Sequence, residues 1–151
     1  MALWDQIRQR TAEAGDQLKT KAGQFKNKDF ANASMAMCAL IAAADGTIDA
    51  DERRKVAGFI GSNEALSVFP IAELQEKFSY SCSKLEADYD FGKIEALQVL
   101  GKLRSKPDQA RAVVQVGVVI GAADGDFDAD EKRALREGCQ ALGIDPAEFD
   151  V

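Results

Sequence analysis

Ala43-Ala44-Asp45-Gly46-Thr47-Ile48-Asp49-Ala50-Asp51-Glu52-Arg53-Arg54 recurs as Ala122-Ala123-Asp124-Gly125-Asp126-Phe127-Asp128-Ala129-Asp130-Glu131-Lys132-Arg133, differing only at Thr47/Asp126, Ile48/Phe127 and Arg53/Lys132. Each copy follows a stretch apolar on every side, Met35 to Ala44 or Ala112 to Ala123, and precedes an amphipathic one. An all-round apolar stretch reads as a buried helix, and an apolar stripe at steps of three and four as a surface helix. The repeat therefore predicts two helix hairpins, residues 29–63 and 107–144, packed about a pseudo-two-fold axis into a four-helix core.

Within each copy the turn chemistry is legible. Gly46 or Gly125 suits the left-handed position that closes a helix, and Asp49 or Asp128 suits the N-cap of the next. Glu52 and Glu131 stand three residues after those caps, completing Asp-x-x-Glu capping boxes, and Ile48 and Phe127 can staple the turn from inside. Asp145-Pro146-Ala147-Glu148 has the same spacing outside the repeat, so capping alone accounts for part of the pattern.

Outward from the repeat, Trp4, Ile7, Thr11, Ala14, Leu18, Ala22 and Phe25 form the stripe of an amphipathic N-terminal helix over residues 1–28, with six basic and three acidic side chains. Pro70 opens a helix carrying Ile71, Leu74, Phe78, Cys82 and Leu85. Asp88-Tyr89-Asp90 breaks it, with Asp90 as cap, and Phe91, Ile94, Leu97, Leu100 and Leu103 make the next stripe. No strand-length alternation or Gly-rich hairpin turn occurs. The fold class is all-α, seven or so helices in a single domain spanning residues 1–151.

The chain has 151 residues, 46% hydrophobic, enough for one compact core. Asp and Glu number 25 against 19 Lys and Arg, giving a net charge of −6, so the average surface repels phosphate backbones and argues against nucleic-acid binding. Histidine is absent, removing the usual general base and the commonest metal ligand. Cys38, Cys82 and Cys139 lie far apart without a C-x-x-C pair, which fits a reducing compartment. The start is charged within a few residues and lacks the apolar run of a signal peptide, and neither apolar stretch reaches the roughly 20 residues of a membrane span. The expected location is the cytoplasm.

The acids of the repeat exceed what capping needs. Asp45 and Asp124 sit beside a helix C-terminus, where a carboxylate meets the negative end of the macrodipole. Carboxylates about 5 Å apart repel by about 3 kcal/mol at an effective dielectric near 20. A hard cation would remove that repulsion, and oxygen-only ligands select Ca²⁺ or Mg²⁺, with Ca²⁺ favoured in a flexible turn. Arg53-Arg54 and Lys132-Arg133 are rival neutralisers. The candidate ligands are Asp45, Asp49, Asp51 and Glu52 in the first turn, and Asp124, Asp126, Asp128, Asp130 and Glu131 in the second. A standard EF-hand is excluded, because counting from Asp124 its glycine and bidentate glutamate positions hold Ala129 and Leu135.

With the paired Asp-Gly-x-apolar-Asp-Ala-Asp-Glu segments on helix hairpins, the chain resembles the TerB family of tellurite-resistance proteins. The likeness extends to Gly23–Phe30, Asn63–Phe69, Asp88–Gly92 and Leu142–Phe149. It implies a bacterial, internally duplicated helical domain of a tellurite-resistance and stress-response operon, with an acidic surface that binds divalent cations and no established catalysis. The family's Asp-Gly with a downstream Glu maps to Asp45 with Glu52 and Asp124 with Glu131. It also implies assembly with TerC-like membrane proteins and TerD-like calcium-binding proteins, an adaptor beneath the inner membrane.

Two other readings compete with the cation-binding interaction module. One is a metal-independent helical scaffold whose net-positive first helix docks onto a membrane-associated partner or the membrane surface; its plain rival is that this helix covers the bundle. The other is a thiol or carboxylate enzyme acting on tellurite. Reactive cysteines need an electropositive, accessible setting, whereas these three occupy apolar helical positions, so the expectation is no enzyme and no catalytic residue. Asp88, Asp90 and Glu95 form a further acidic cluster that could extend the acidic face.

Overall fold

The computed structural model describes residues 27–62, 66–122 and 127–151. Among them are six α-helices and no strand: α1 (Lys28–Ala42), α2 (Ala50–Ser62), α3 (Ile71–Ala87), α4 (Tyr89–Gly101), α5 (Pro107–Ala122) and α6 (Ala129–Leu142), followed by a 3₁₀ turn, Pro146–Phe149. The helix expected over residues 1–28 lies outside the described residues except for its last two. No described helix is long and apolar enough to cross a membrane.

Helix α1 is the axis of the bundle. Asn27 caps it, its side chain accepting from Phe30 N at 2.9 Å while its amide donates to Gln109 Oε1 at 3.0 Å. From Ala33 to Ala44 the helix and its end are buried on every side, as the sequence predicts for an all-round apolar stretch. It packs against α3, α4, α5 and α6. Its alanines keep it thin, so several neighbours can reach one helix.

Helix directions follow from named contacts. Asn27 meets Gln109 at one end, and Met37 lies against Gly117 further along, so α1 and α5 run parallel. Phe30 stacks on Phe69 with ring centroids 6.0 Å apart, which puts the start of α3 beside the start of α1. Helix α2 buries only Val56 and Ile60 and leans on α3 more than on α1.

Helices α3 and α4 are joined by one residue. Asp88 at φ −157 and ψ 107 donates its N–H to Lys84 O at 3.1 Å, closing α3, and its side chain accepts from Phe91 N at 3.2 Å, capping α4. The cap is Asp88, not the expected Asp90. So short a joint presses the two backbones together at Gly92, where an added Cβ would stand 2.7 Å from Leu85 Cα. That contact turns the small side of α4 inward. Gly92, Ala96 and Leu100 are buried, while Phe91 is 73% and Ile94 52% exposed. The stripe expected inside is buried only at Leu100 and Leu103, with Leu97 half-buried.

Candidate functional site

The first acidic turn is fully described. Helix α1 ends at Ala42, and the chain tightens through Ala44 N to Ile41 O at 3.2 Å and Gly46 N to Ala43 O at 2.9 Å. Gly46 takes φ +92 with open space where a Cβ would be, so glycine is required by conformation and not by room. Gly46 lies three residues past the C-cap Ala43, two beyond the C′ position that the sequence predicts for it. Asp45 folds back over the turn, accepting from Thr47 N at 3.1 Å and from Thr47 Oγ1 at 3.2 Å. Asp49 accepts from Glu52 N at 2.7 Å, the expected cap. Asp51 pairs with Arg54.

The second turn repeats this chemistry where it is described; Asp124 and Asp126 lie outside the described residues. Asp128 accepts from Glu131 N at 2.8 Å and Glu131 returns the bond from Asp128 N at 3.4 Å, a complete capping box. Asp130 pairs with Arg133 at 3.0 Å, at the same spacing as Asp51 with Arg54. Phe127 packs on α5, its ring 3.1 Å from where a Cβ on Gly121 would stand, and Ile48 lies against the core. The box expected at Asp145 is only half used. Its side chain accepts from Ala147 N at 3.0 Å, but Glu148 goes to Arg111 at 3.2 Å.

Arg133 also reaches out of its own repeat, donating from Nη2 to Ala44 O at 3.3 Å across 89 residues of sequence. The start of α6 thus lies against the end of α1. Sequence reasoning treated Arg133 as a local neutraliser; a backbone carbonyl so distant leaves no signal in sequence spacing. Donor chemistry at this end suits a hard cation, since it is carboxylate and carbonyl oxygen. The described carboxylates are spread, however, Asp45 turned to Thr47, Asp49 and Asp128 to their caps and Asp51 and Asp130 to arginines, and no three acids form a group that could hold a metal among the described residues.

Asp88 is taken up as a cap, and Glu95 accepts from Tyr80 Oη at 2.9 Å, so both acids serve the α3–α4 hairpin. All three cysteines are free and buried. Burial pushes the Cys38 thiol far up. Burial also raises Cys82 and Cys139 to about 12, in Cys82 against the opposing pull of Arg53. A thiol so placed carries almost no thiolate at neutral pH. In the native protein at pH 8, an aromatic disulfide reagent should titrate none of these three thiols within minutes, and all three after unfolding in guanidinium. One fast-reacting thiol in the native state would contradict their burial.

These observations define a class: a small all-helical bundle in which the start of an acid-capped helix, α6, lies against the end of the buried helix α1. The family model described as "Tellurite resistance protein TerB" matches residues 31–151. The chain is 30% identical over 118 residues to the "Tellurium resistance protein TerB" of Alcaligenes sp, covering 78% of this chain and 97% of the relative. The chain belongs to the TerB family of tellurite-resistance proteins. No solved structure gives a significant match.

Proposed function

We propose that this protein serves tellurite resistance and the stress response as a non-catalytic interaction module of the cytoplasm, governed by a divalent cation at its duplicated acidic turns. Ca²⁺ is preferred over Mg²⁺ because the turns are rich in carboxylate. Asp45, Asp49, Asp51 and Glu52 serve in the first turn, and Asp124, Asp126, Asp128, Asp130 and Glu131 in the second. The hairpins form a pseudo-two-fold pair, and their surface meets TerC-like membrane and TerD-like calcium-binding partners, at the membrane periphery.

One observation supports this reading above the others: the Arg133 contact brings the acid-rich start of α6 to the end where α1 presents its negative dipole. The answering arginine pairs are exposed, with Arg54 at 75% and Asp51 at 89%, and such pairs contribute about 1 kcal/mol or less. Net negative charge is left for an ion to neutralise. The recurrence of the Asp51–Arg54 pair as Asp130–Arg133 favours the second reading, a metal-independent scaffold.

Calcium titration followed by amide NMR and thermal melting separates the two. Under the first reading the amides of residues 44–52 and 127–133 shift together. Stability then rises by about 2.7 kcal/mol at 100 times the dissociation constant. Alanine at Asp124 and Glu131 removes most of that gain. An unchanged spectrum and melting curve at millimolar Ca²⁺ would leave the scaffold.

A further inference from the structure

Of the four large apolar side chains exposed among the described residues, Phe91 and Ile94 share one face of α4, whereas Ile71 and Tyr80 lie on opposite sides of α3. Gln98, one turn on from Ile94, extends the α4 face and is also exposed. The backbone contact at Gly92 that turns Ala96 and Leu100 inward holds Phe91 and Ile94 outward. Apolar residues scattered singly over a surface need no explanation, but two that adjoin, held out by the packing beneath them, form the centre of a contact patch.

Charges around the patch point to its occupant. By helical geometry Asp90 flanks it on one side and Glu95 on the other. Neither acid pairs with a basic side chain among the described residues, Glu95 accepting only from the Tyr80 hydroxyl. The nearby cations are engaged elsewhere: Lys93 on Glu137, Arg133 on Asp130 and Ala44 O, and Lys84 over the Tyr80 ring. Across the α3–α4 joint, Glu86 is answered by Arg53. Lys102 is exposed at the far end of α4, eight residues past Ile94, or about 12 Å at helical rise. The patch is therefore apolar at its centre and acidic on both flanks.

We propose that this face of α4 binds a basic amphipathic helix of a partner protein. Its apolar residues lie on Phe91 and Ile94, and its lysines or arginines on Asp90 and Glu95. Phosphate-rich surfaces, whether nucleic acid or anionic lipid, meet the same two carboxylates and are repelled. A second copy of the chain, docked through the same face about a two-fold axis, brings both pairs of acids into one interface. The apolar centre supplies affinity and the flanking acids select the sign of the partner. The proposal stands apart from cation binding at the turns.

The probe is a synthetic amphipathic peptide of leucine, alanine and lysine, about 14 residues or four helical turns long. Added to the ¹⁵N-labelled full-length protein, it should shift the amides from Asp90 to Gln98 and leave α2 unmoved. Phe91→Ser with Ile94→Ser should weaken binding by about tenfold or more, and so should Asp90→Asn with Glu95→Gln. Both double variants should keep the parent's melting temperature, because none of the four side chains is buried. A peptide with glutamate in place of lysine should not bind. Equal binding of that peptide overturns the proposal, as do shifts centred on residues 45–52 or 128–131, which mean capture by the acidic turns. Without peptide, the serine pair exposes any other occupant. Moved amides in residues 1–26 name the chain itself, lost self-association names a second copy, and lost pelleting with phosphatidylglycerol vesicles names a membrane. Each of these three results also overturns it.

Discussion

Replacing Gly92 with valine should cost about 3 kcal/mol or more of folding stability, and for a chain of this size lower the melting temperature by about 6–12 °C. The added Cβ would lie 2.7 Å from both Leu85 N and Leu85 Cα and 2.8 Å from Lys84 C, all backbone atoms of α3. Nothing there can rotate away, so α4 must slide off α3, carrying Ala96 and Leu100 out of the core. Gly138 offers an instructive contrast. Its Cβ would meet the Met37 side chain, whose flexible thioether can yield, so Gly138→Ala should cost less. Gly58, in the middle of α2 with nothing within 4 Å, should gain about 0.5–1 kcal/mol on becoming alanine. Urea denaturation of the three variants checks the ordering. A Gly92→Val protein as stable as the parent would mean that α3 and α4 do not approach as described.

Phe30→Ala should be the costliest of the cavity-forming changes, at about 3–5 kcal/mol. Phe30 is fully buried at the start of α1 and stacks on Phe69 at an interplanar angle of 27°. Removing it opens a cavity and also loses an aromatic pair of about 0.5–1.5 kcal/mol. A third or more of the stability of a typical domain would go. The same change should loosen Phe69 and the entry to α3, visible as faster amide exchange there than at α6. A loss below about 1.5 kcal/mol would show that the two rings do not share a rigid core.

Much of the architecture was open to reading because the determining interactions are local. The caps at Asp49 and Asp128 involve a side chain and a backbone N–H three residues on, so the spacing states the bond. The buried helices α1 and α5 announced themselves by lacking a polar face. Helix α4 did not. Phe91 and Ile94 have core-type side chains at core-type spacing, yet they face outward because a glycine three residues before Glu95 lets another backbone occupy the inner face. A stripe of large residues was weighed by its hydrophobicity, and the deciding contact was made by a residue with no side chain. The acidic segments divide the same way: their carboxylates were legible singly, whereas the approach of α6 to the end of α1 rests on Arg133 and a carbonyl far away in the chain.

The sequence by itself determined that this protein is helical, where its turns fall, which helices are central and which family it resembles, because periodicity, capping and glycine placement act within a few residues of one another. Only the tertiary structure decided which face of α4 is buried, that α1 and α5 run parallel, and that the start of α6 lies against the end of α1. Those outcomes depend on the distance between helix backbones, which is set jointly by small residues on two segments and appears in neither alone.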